Sequence, residues 1–200
     1  MKKTIEEHAA RFDEQASSYD ESKSPEYAAC ADLVVEHADP SSDDVVLDLA
    51  TGTGAIALAL ADDAKEIVGR DISEGMLEEA REKAATRDLG NVSFDTGRFR
   101  EPAVEAVPDI VVTNFAMHHL SDAEKREAIQ AVADLTATRF VIGDVMFFGE
   151  GDPDKPFYSP EVDDPATVGM LADALTDAGF ALTAIERVHD QVGVLVAERP

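Results

Sequence analysis

The sequence predicts an α/β fold: a doubly wound, mostly parallel sheet covered by helices, with an antiparallel strand near one edge and helices leading in from the N-terminus. Three observations predict it. Short apolar, β-branched runs alternate with helical stretches five times over from Val45 onward. A Gly-rich turn follows the first of these runs. The last two runs, 180–187 and 191–198, are joined only by Val188-His189-Asp190. A parallel crossover needs a dozen residues or more, so that pair must be antiparallel.

The elements follow in order. Residues 4–38 read as charged helix, broken at Ser17-Ser18 and at Ser22-Lys23-Ser24-Pro25. Pro25 suits the first turn of a second helix with Ser24 as its cap. Pro40-Ser41-Ser42-Asp43-Asp44 breaks that helix. Residues 45–49 read as a buried strand, 52–61 as a turn passing into an Ala/Leu helix, and 66–71 as a short strand. Ser73 opens a helix reaching about Arg87, 91–94 is strand-like, and 109–113 is the most apolar β-branched stretch. Ser121-Asp122-Ala123-Glu124 is a capping box for a helix reaching about Thr136. A strand at 140–145, a Gly/Pro/Asp-rich loop over 146–164 and a helix from Pro165 to Gly179 precede the closing hairpin. The chain divides into a helical lid segment at 1–40 and one ligand-binding globular unit at 41–200. In such sheets ligands bind beyond the carboxyl ends of the strands, where strand order reverses.

Composition removes several classes of function. At 200 residues and 44% hydrophobic the chain suits one folded domain rather than a disordered one. Its longest apolar run, 55–61, is far short of the roughly 20 residues that span a bilayer. Glu6, Glu7 and His8 stand where a signal peptide would be apolar, so the expected location is cytoplasmic. Cys30 is the only cysteine, which rules out an internal disulfide and a cysteine-built zinc site and suits a small buried side chain. Seventeen Lys and Arg against 42 Asp and Glu give a net charge of −25. That field repels phosphate backbones and anionic lipid, so neither nucleic acid nor a membrane is expected as partner. The acids are spread along the chain, as on proteins suited to high salt. Oligomeric state leaves no mark on the sequence.

The strongest local signal is Val45-Val46-Leu47-Asp48-Leu49-Ala50-Thr51-Gly52-Thr53-Gly54-Ala55-Ile56-Ala57. Gly52, Gly54 and Ala57 fit the dinucleotide pattern G-x-G-x-x-G/A, in which backbone N–H groups at a helix start approach a ligand. Asp48, four residues before Gly52, would repel a pyrophosphate but suit an ammonium and a sulfonium. S-adenosylmethionine (SAM) carries both and no phosphate. The other reading is that Asp48 bonds amides of its own turn. Asp71 ends the second strand, roughly 20 residues beyond the turn, where an acid can accept both hydroxyls of a ribose. Capping the next helix is its other reading, though Ser73 is better placed for that. The two acids point to an adenosyl cofactor, with a nicotinamide one still open.

These residues resemble the class I SAM-dependent methyltransferases, especially small stand-alone members acting on small molecules, such as the quinone C-methyltransferases. The resemblance rests on Leu47-Asp48-Leu49-Ala50-Thr51-Gly52-Thr53-Gly54, Asp71-Ile72-Ser73 with Met76, Asp109-Ile110-Val111-Val112, and His118-His119-Leu120. Phe12-Asp13 and Tyr19-Asp20 are similar to the helical N-terminal segment of such enzymes. It implies a seven-stranded Rossmann-like sheet with an antiparallel last strand. It implies Asp48, Ala50 and Gly52 by the methionine part of SAM, Gly54 among the cofactor-binding residues, Asp71 on the ribose, and Ile72 and Met76 against the adenosine. Asn114 would stand near the transferred methyl, with Tyr19 in a lid. Two positions depart from the pattern. Ala50 stands where the family commonly has glycine, which narrows the backbone angles available. Arg98 stands where many members carry an acid for the adenine amino group; it cannot accept a hydrogen bond, leaving adenine to the backbone and to stacking on Phe99.

His118 and His119 are candidate general bases toward a substrate, or else they pack and cap at a helix start. A metal is not expected: side-by-side residues diverge, and no nearby acid completes a motif. Asp144, at the end of the fifth strand, points to the same edge, to orient a substrate or to satisfy loop amides. Phe147, Phe148, Phe157 and Tyr158 bracket a loop that could wall a substrate pocket. The expected activity is in-line methyl transfer from SAM to a small molecule. The alternatives are a non-catalytic module binding SAM or another adenosyl nucleoside, and an NAD-dependent oxidoreductase.

Overall fold

The computed structural model describes residues 4–149 and 156–200; the middle of the predicted 146–164 loop and the first three residues lie outside them. The strands are β1 (Val45–Leu49), β2 (Glu66–Asp71), β3 (Val92–Thr96), β4 (Ile110–Asn114), β5 (Arg139–Phe147), β6 (Ala166–Thr167), β7 (Ala181–His189) and β8 (Val192–Glu198). They form one sheet in the order β3-β2-β1-β4-β5-β8-β7, with the two-residue β6 beside the end of β5. Pairing is parallel from β3 to β5. β8 runs antiparallel to β7, as the two-residue connection Asp190-Gln191 requires, and antiparallel to β5 as well.

Strand alternation divides the interior in two. Val46, Ile67, Val112, Val141 and Val194 face one core, and Leu47, Val111, Phe140, Ile142 and Leu195 the other. The first core is covered by α2 (Pro25–Ala38), α3 (Ala55–Leu60) and α4 (Glu74–Thr86), through residues such as Val34, Leu60 and Leu77. The second is covered by α5 (Asp122–Asp134) and α6 (Val168–Asp177), through Ile129, Val132, Leu171 and Leu175. Helices on both faces leave the central strands fully buried, which explains their continuous apolar runs.

Two boundaries differ from expectation. The last helix begins at Val168, not Pro165, because Ala166 and Thr167 pair with Met146 and Phe147 and the Thr167 hydroxyl caps Met170 N–H at 3.1 Å. The 1–40 segment also has two parts. Cys30, Val34 and Ala38 of α2 are fully buried, so α2 is a core layer. Gly143 of β5 lets it come that close: a Cβ there would meet Val34 at 2.6 Å and Cys30 at 2.8 Å. α1 (Ile5–Gln15) and the 3-10 turn Ala16–Ser22 lie over the ligand end of the sheet, joined by Tyr27 at the start of α2.

Candidate active site

Strand order reverses between β1 and β4, and a cavity of about 210 Å³ opens there, beyond the carboxyl ends of the strands. Ala50, Thr51 and Gly52 follow β1, Asp71 and Ile72 close β2, Arg98 and Phe99 follow β3, and Asn114 ends β4. Met76 of α4 and Tyr19 of the 3-10 turn complete the wall. Nine of the eleven residues expected to bind the cofactor therefore share one cavity. Asp48 and Gly54 do not line it.

The turn after β1 is built from left-handed residues: Ala50 at φ 57°, Gly52 at 54° and Gly54 at 82°. Gly52 N–H donates to Asp71 Oδ2 at 2.8 Å, and Ser73 N–H donates to Asp71 Oδ1 at 2.9 Å. A carboxylate offers about four acceptor positions, more than the Gly52, Ile72 and Ser73 N–H groups use, so capacity remains for a ligand. Burial pushes the Asp71 pKa up, while these N–H donors oppose the shift.

Asp48 is a correction. It is 1% exposed and accepts from the Thr51 hydroxyl at 2.7 Å and from Ala57 N–H at 3.2 Å. Along β1 it alternates with Leu47 and Leu49, so it points beneath the turn to the start of α3 rather than into the cavity. Burial raises its pKa to about 7. Gly54 is a second correction. It starts α3 and lies tight against Ala80 and Phe94, where a Cβ would come within 3.1 and 3.2 Å of their side chains.

Asn114 is 7% exposed, and neither its amide nitrogen nor its oxygen makes a well-formed hydrogen bond, though the Tyr27 hydroxyl interacts with it. A buried amide in that state costs stability unless something else pairs with it. Phe115 follows at φ 54°, a strained conformation for an aromatic residue, with its ring against Tyr27 and Phe157. Phe115 and Tyr27 both line the first cavity, and nothing in the sequence marks either of them for it.

A second cavity, of about 430 Å³, adjoins the first and shares Phe12, Tyr19, Phe115 and His119 with it. His118 and Asp163 lie on its wall, as does Arg11, whose Nη1 is buried with no partner. Phe157 and Tyr158 also line it; Phe147 and Phe148 do not. Of the three residues expected to be catalytic, His119 borders both cavities, His118 only the second, and Asp144 neither. Asp144 is 1% exposed and sits behind His118: its Oδ1 is 2.5 Å from His118 Nδ1, and its Oδ2 accepts His118 N–H at 2.9 Å. It positions the ring rather than meeting a substrate. Burial works against a charged His118, but the charge and hydrogen bond of Asp144 outweigh it and the pKa is raised; burial lowers that of His119.

The expectation that no acid joins the histidine pair is also corrected. Asp163 Oδ1 lies 2.7 Å from His119 Nδ1. It arrives from the loop before β6, which Asp164 holds by donating its N–H to His118 O at 2.7 Å. The buried Lys125 ammonium anchors the same loop by donating to Asp164 O and to Leu120 O.

Two aspartates fasten the N-terminal segment over the first cavity. Asp13 Oδ1 accepts from the Ser73 hydroxyl at 2.6 Å and from Gly75 N–H at 2.9 Å. Asp20 accepts from the Thr53 hydroxyl at 2.7 Å and from Lys83 Nζ at 2.5 Å.

Comparison with known proteins places this architecture. A curated uncharacterized methyltransferase of Geobacillus sp. (strain WCH70) is 32% identical over 146 residues, covering 72% of this chain and 66%, just under two thirds, of the relative. The solved [4+2]-cyclase SpnF matches with a TM-score of 0.82 at 18% identity, over 100% of this chain and 98% of that one. Magnesium protoporphyrin IX methyltransferase from Synechocystis with bound SAM matches with a TM-score of 0.65 at 20% identity, over 100% and 86%. At such identities the likeness is one of fold. Residues 46–139 match the family described as a methyltransferase domain, a span that holds the turn after β1, Asp71, Asn114 and the histidine pair. Over that span the chain is similar in sequence to methyltransferases, and its sheet shares the fold of a solved SAM-bound methyltransferase.

Proposed function

We propose that the enzyme methylates a small-molecule acceptor bound in the second cavity, with the cofactor in the first. The observation that carries this reading is the shared boundary: two adjoining cavities meet at Phe12, Tyr19, Phe115 and His119. When bound, SAM supplies a methyl already activated on a sulfonium, so no covalent enzyme intermediate is needed.

The residues present fit that cofactor. Asp71 keeps acceptor positions for ribose hydroxyls, and the left-handed turn turns its backbone toward the methionine end. Asn114 lines the first cavity at the end of β4 with its polar atoms unsatisfied. Asp48, beneath the turn, braces it through the Thr51 hydroxyl and Ala57 N–H without touching the cavity. On the acceptor side, His119 meets the nucleophilic atom, and the aromatic rings of Phe12, Phe115 and Phe157 exclude water and favour a flat apolar body. Arg11 is the one Arg or Lys on that wall among the described residues and is free to pair with a carbonyl or carboxylate oxygen. The protein's task is alignment of nucleophile, methyl and sulfur.

Calorimetric titration with SAM and NAD side by side tests the cofactor, and label transfer from methyl-labelled SAM into small-molecule extract tests the acceptor. SAM binding that Asp71→Ala weakens by about 100-fold or more is expected. Label appearing only in protein or nucleic acid would overturn the small-molecule reading.

A further inference from the structure

We propose that His118, His119 and Asp163 form a binding site for a divalent transition metal of the zinc, cobalt and iron(II) class. Each residue offers one ligand atom, and the three atoms lie within 4.8 Å of one another, the only such grouping of His, Cys, Asp and Glu among the described residues. Two imidazoles and one carboxylate suit borderline metals, whereas magnesium and calcium prefer all-oxygen shells.

The surroundings are built as for ligands. Asp144 engages His118 Nδ1 at 2.5 Å, leaving Nε2 as the free lone pair, and is itself held by His118 N–H and by Val145 N–H at 2.7 Å. A carboxylate behind a histidine in this way fixes the ring and raises its basicity toward a metal. Asp163 Oδ2 accepts Ser159 N–H at 2.8 Å, which orients Oδ1 toward His119. Asp164 and Lys125 pin the loop that carries it. Three protein ligands leave coordination positions open, and the cluster faces the second cavity. Resting on the methyl-transfer reading, this favours an acceptor with a hydroxyl or enol oxygen. That oxygen loses its proton to solvent and its lone pair forms the new C–O bond, while the C–S bond breaks with its pair on sulfur.

The test is titration of the chelator-treated full chain with cobalt(II), followed by visible absorption, in molar salt to suppress loose binding to the acidic surface. One equivalent bound with ligand-field bands is expected, and zinc should displace it. Asp163→Asn and His118→Gln, checked for folding by circular dichroism, should each weaken binding at least 10-fold. Asp144→Asn should weaken it less while keeping the bands. Cobalt binding unchanged in folded Asp163→Asn and His118→Gln, or absence of a single equivalent in the parent chain, would overturn the site. SAM calorimetry on the same samples reports on the methyl-transfer reading separately, since Asp71 and the turn after β1 hold none of the three ligands.

Discussion

The Asp48 carboxylate accepts from the Thr51 hydroxyl at 2.7 Å and, through the same oxygen, from the Ala57 amide at 3.2 Å, so one buried acid ties the end of β1 to the start of α3. The cofactor turn is therefore braced from below.

That brace carries a pH signature. Burial lifts the Asp48 pKa from 3.8 to about 7. A group whose folded pKa is raised contributes stability below its unfolded value and loses it as pH rises through the folded one. Apo-protein stability should thus fall from about pH 4 to about pH 7 through this residue. Asp48→Asn keeps an oxygen acceptor and cannot ionise, so its melting temperature should fall less across that range. Parallel curves for the two proteins would refute the assignment.

Ala50 sits at φ 57°, where a Cβ costs about 1–2 kcal/mol. Glycine removes that strain but gives the unfolded chain more freedom, offsetting part of the gain. Ala50→Gly should stabilise the protein by about 0.5–1 kcal/mol, read as a higher urea midpoint at unchanged slope. A lower midpoint would mean that the methyl makes contacts worth more than the strain.

Much of this was legible in the sequence because central parallel strands are buried on both sides and read as apolar runs, and because Gly52 and Asp71 each have a backbone or charge reason for their place. Asp48 was misplaced for a physical reason. Its position along β1 was evident, but whether a residue at a strand end faces the cavity or the underside of the turn depends on the pleat. Asp163 was invisible as a partner of His119: it lies 44 residues away in a loop, and only the β6 pairing and Lys125 bring it back. The start of α6 was misjudged because Pro165 is a good first helical residue, while the short β5–β6 ladder is a tertiary effect.

Lys125 is 1% exposed and donates to the Leu120 and Asp164 carbonyls. Lys125→Met fills the volume but leaves both carbonyls without their charged donor. A loss of about 2–4 kcal/mol is expected. Amide exchange should rise most around Asp163 and Asp164; an even rise across the whole chain would count against a local anchor.

Asp20, one of the two fastenings, has a side chain 46% accessible. Burial opposes its charge, but the Lys23, Lys83 and Thr53 contacts prevail and hold its carboxyl far below the ordinary range. A depressed carboxyl stabilises above its unfolded pKa and loses that contribution as pH falls. Solvent screening keeps the contribution to roughly 0.5–1 kcal/mol, enough for a few-fold change in an opening equilibrium. Asp20→Asn should speed cofactor dissociation a few-fold in stopped flow while leaving the melting temperature nearly unchanged. Unaltered dissociation would show that the segment over the cavity does not control exit.

The charge of −25 sets the last prediction. Most of the ion pairs are at the surface, such as Arg81–Glu74, Arg100–Glu127 and Arg126–Asp177, and each is worth little. With 42 acids against 17 bases, most carboxylates have no cation to balance them, so repulsion is the larger surface term. At low ionic strength it acts over a screening length of about 30 Å, comparable to the domain; at molar salt that length is about 3 Å. The melting temperature should therefore rise with sodium chloride, steeply at first and then levelling once neighbouring acids are screened. Sulfate at equal ionic strength would add stabilisation by exclusion from apolar surface, so the chloride curve isolates screening. Converting several exposed acids such as Glu78 and Glu82 to glutamine should raise stability at low salt and flatten the dependence. A salt response identical in the neutralised variant would place its origin in hydrophobic burial instead.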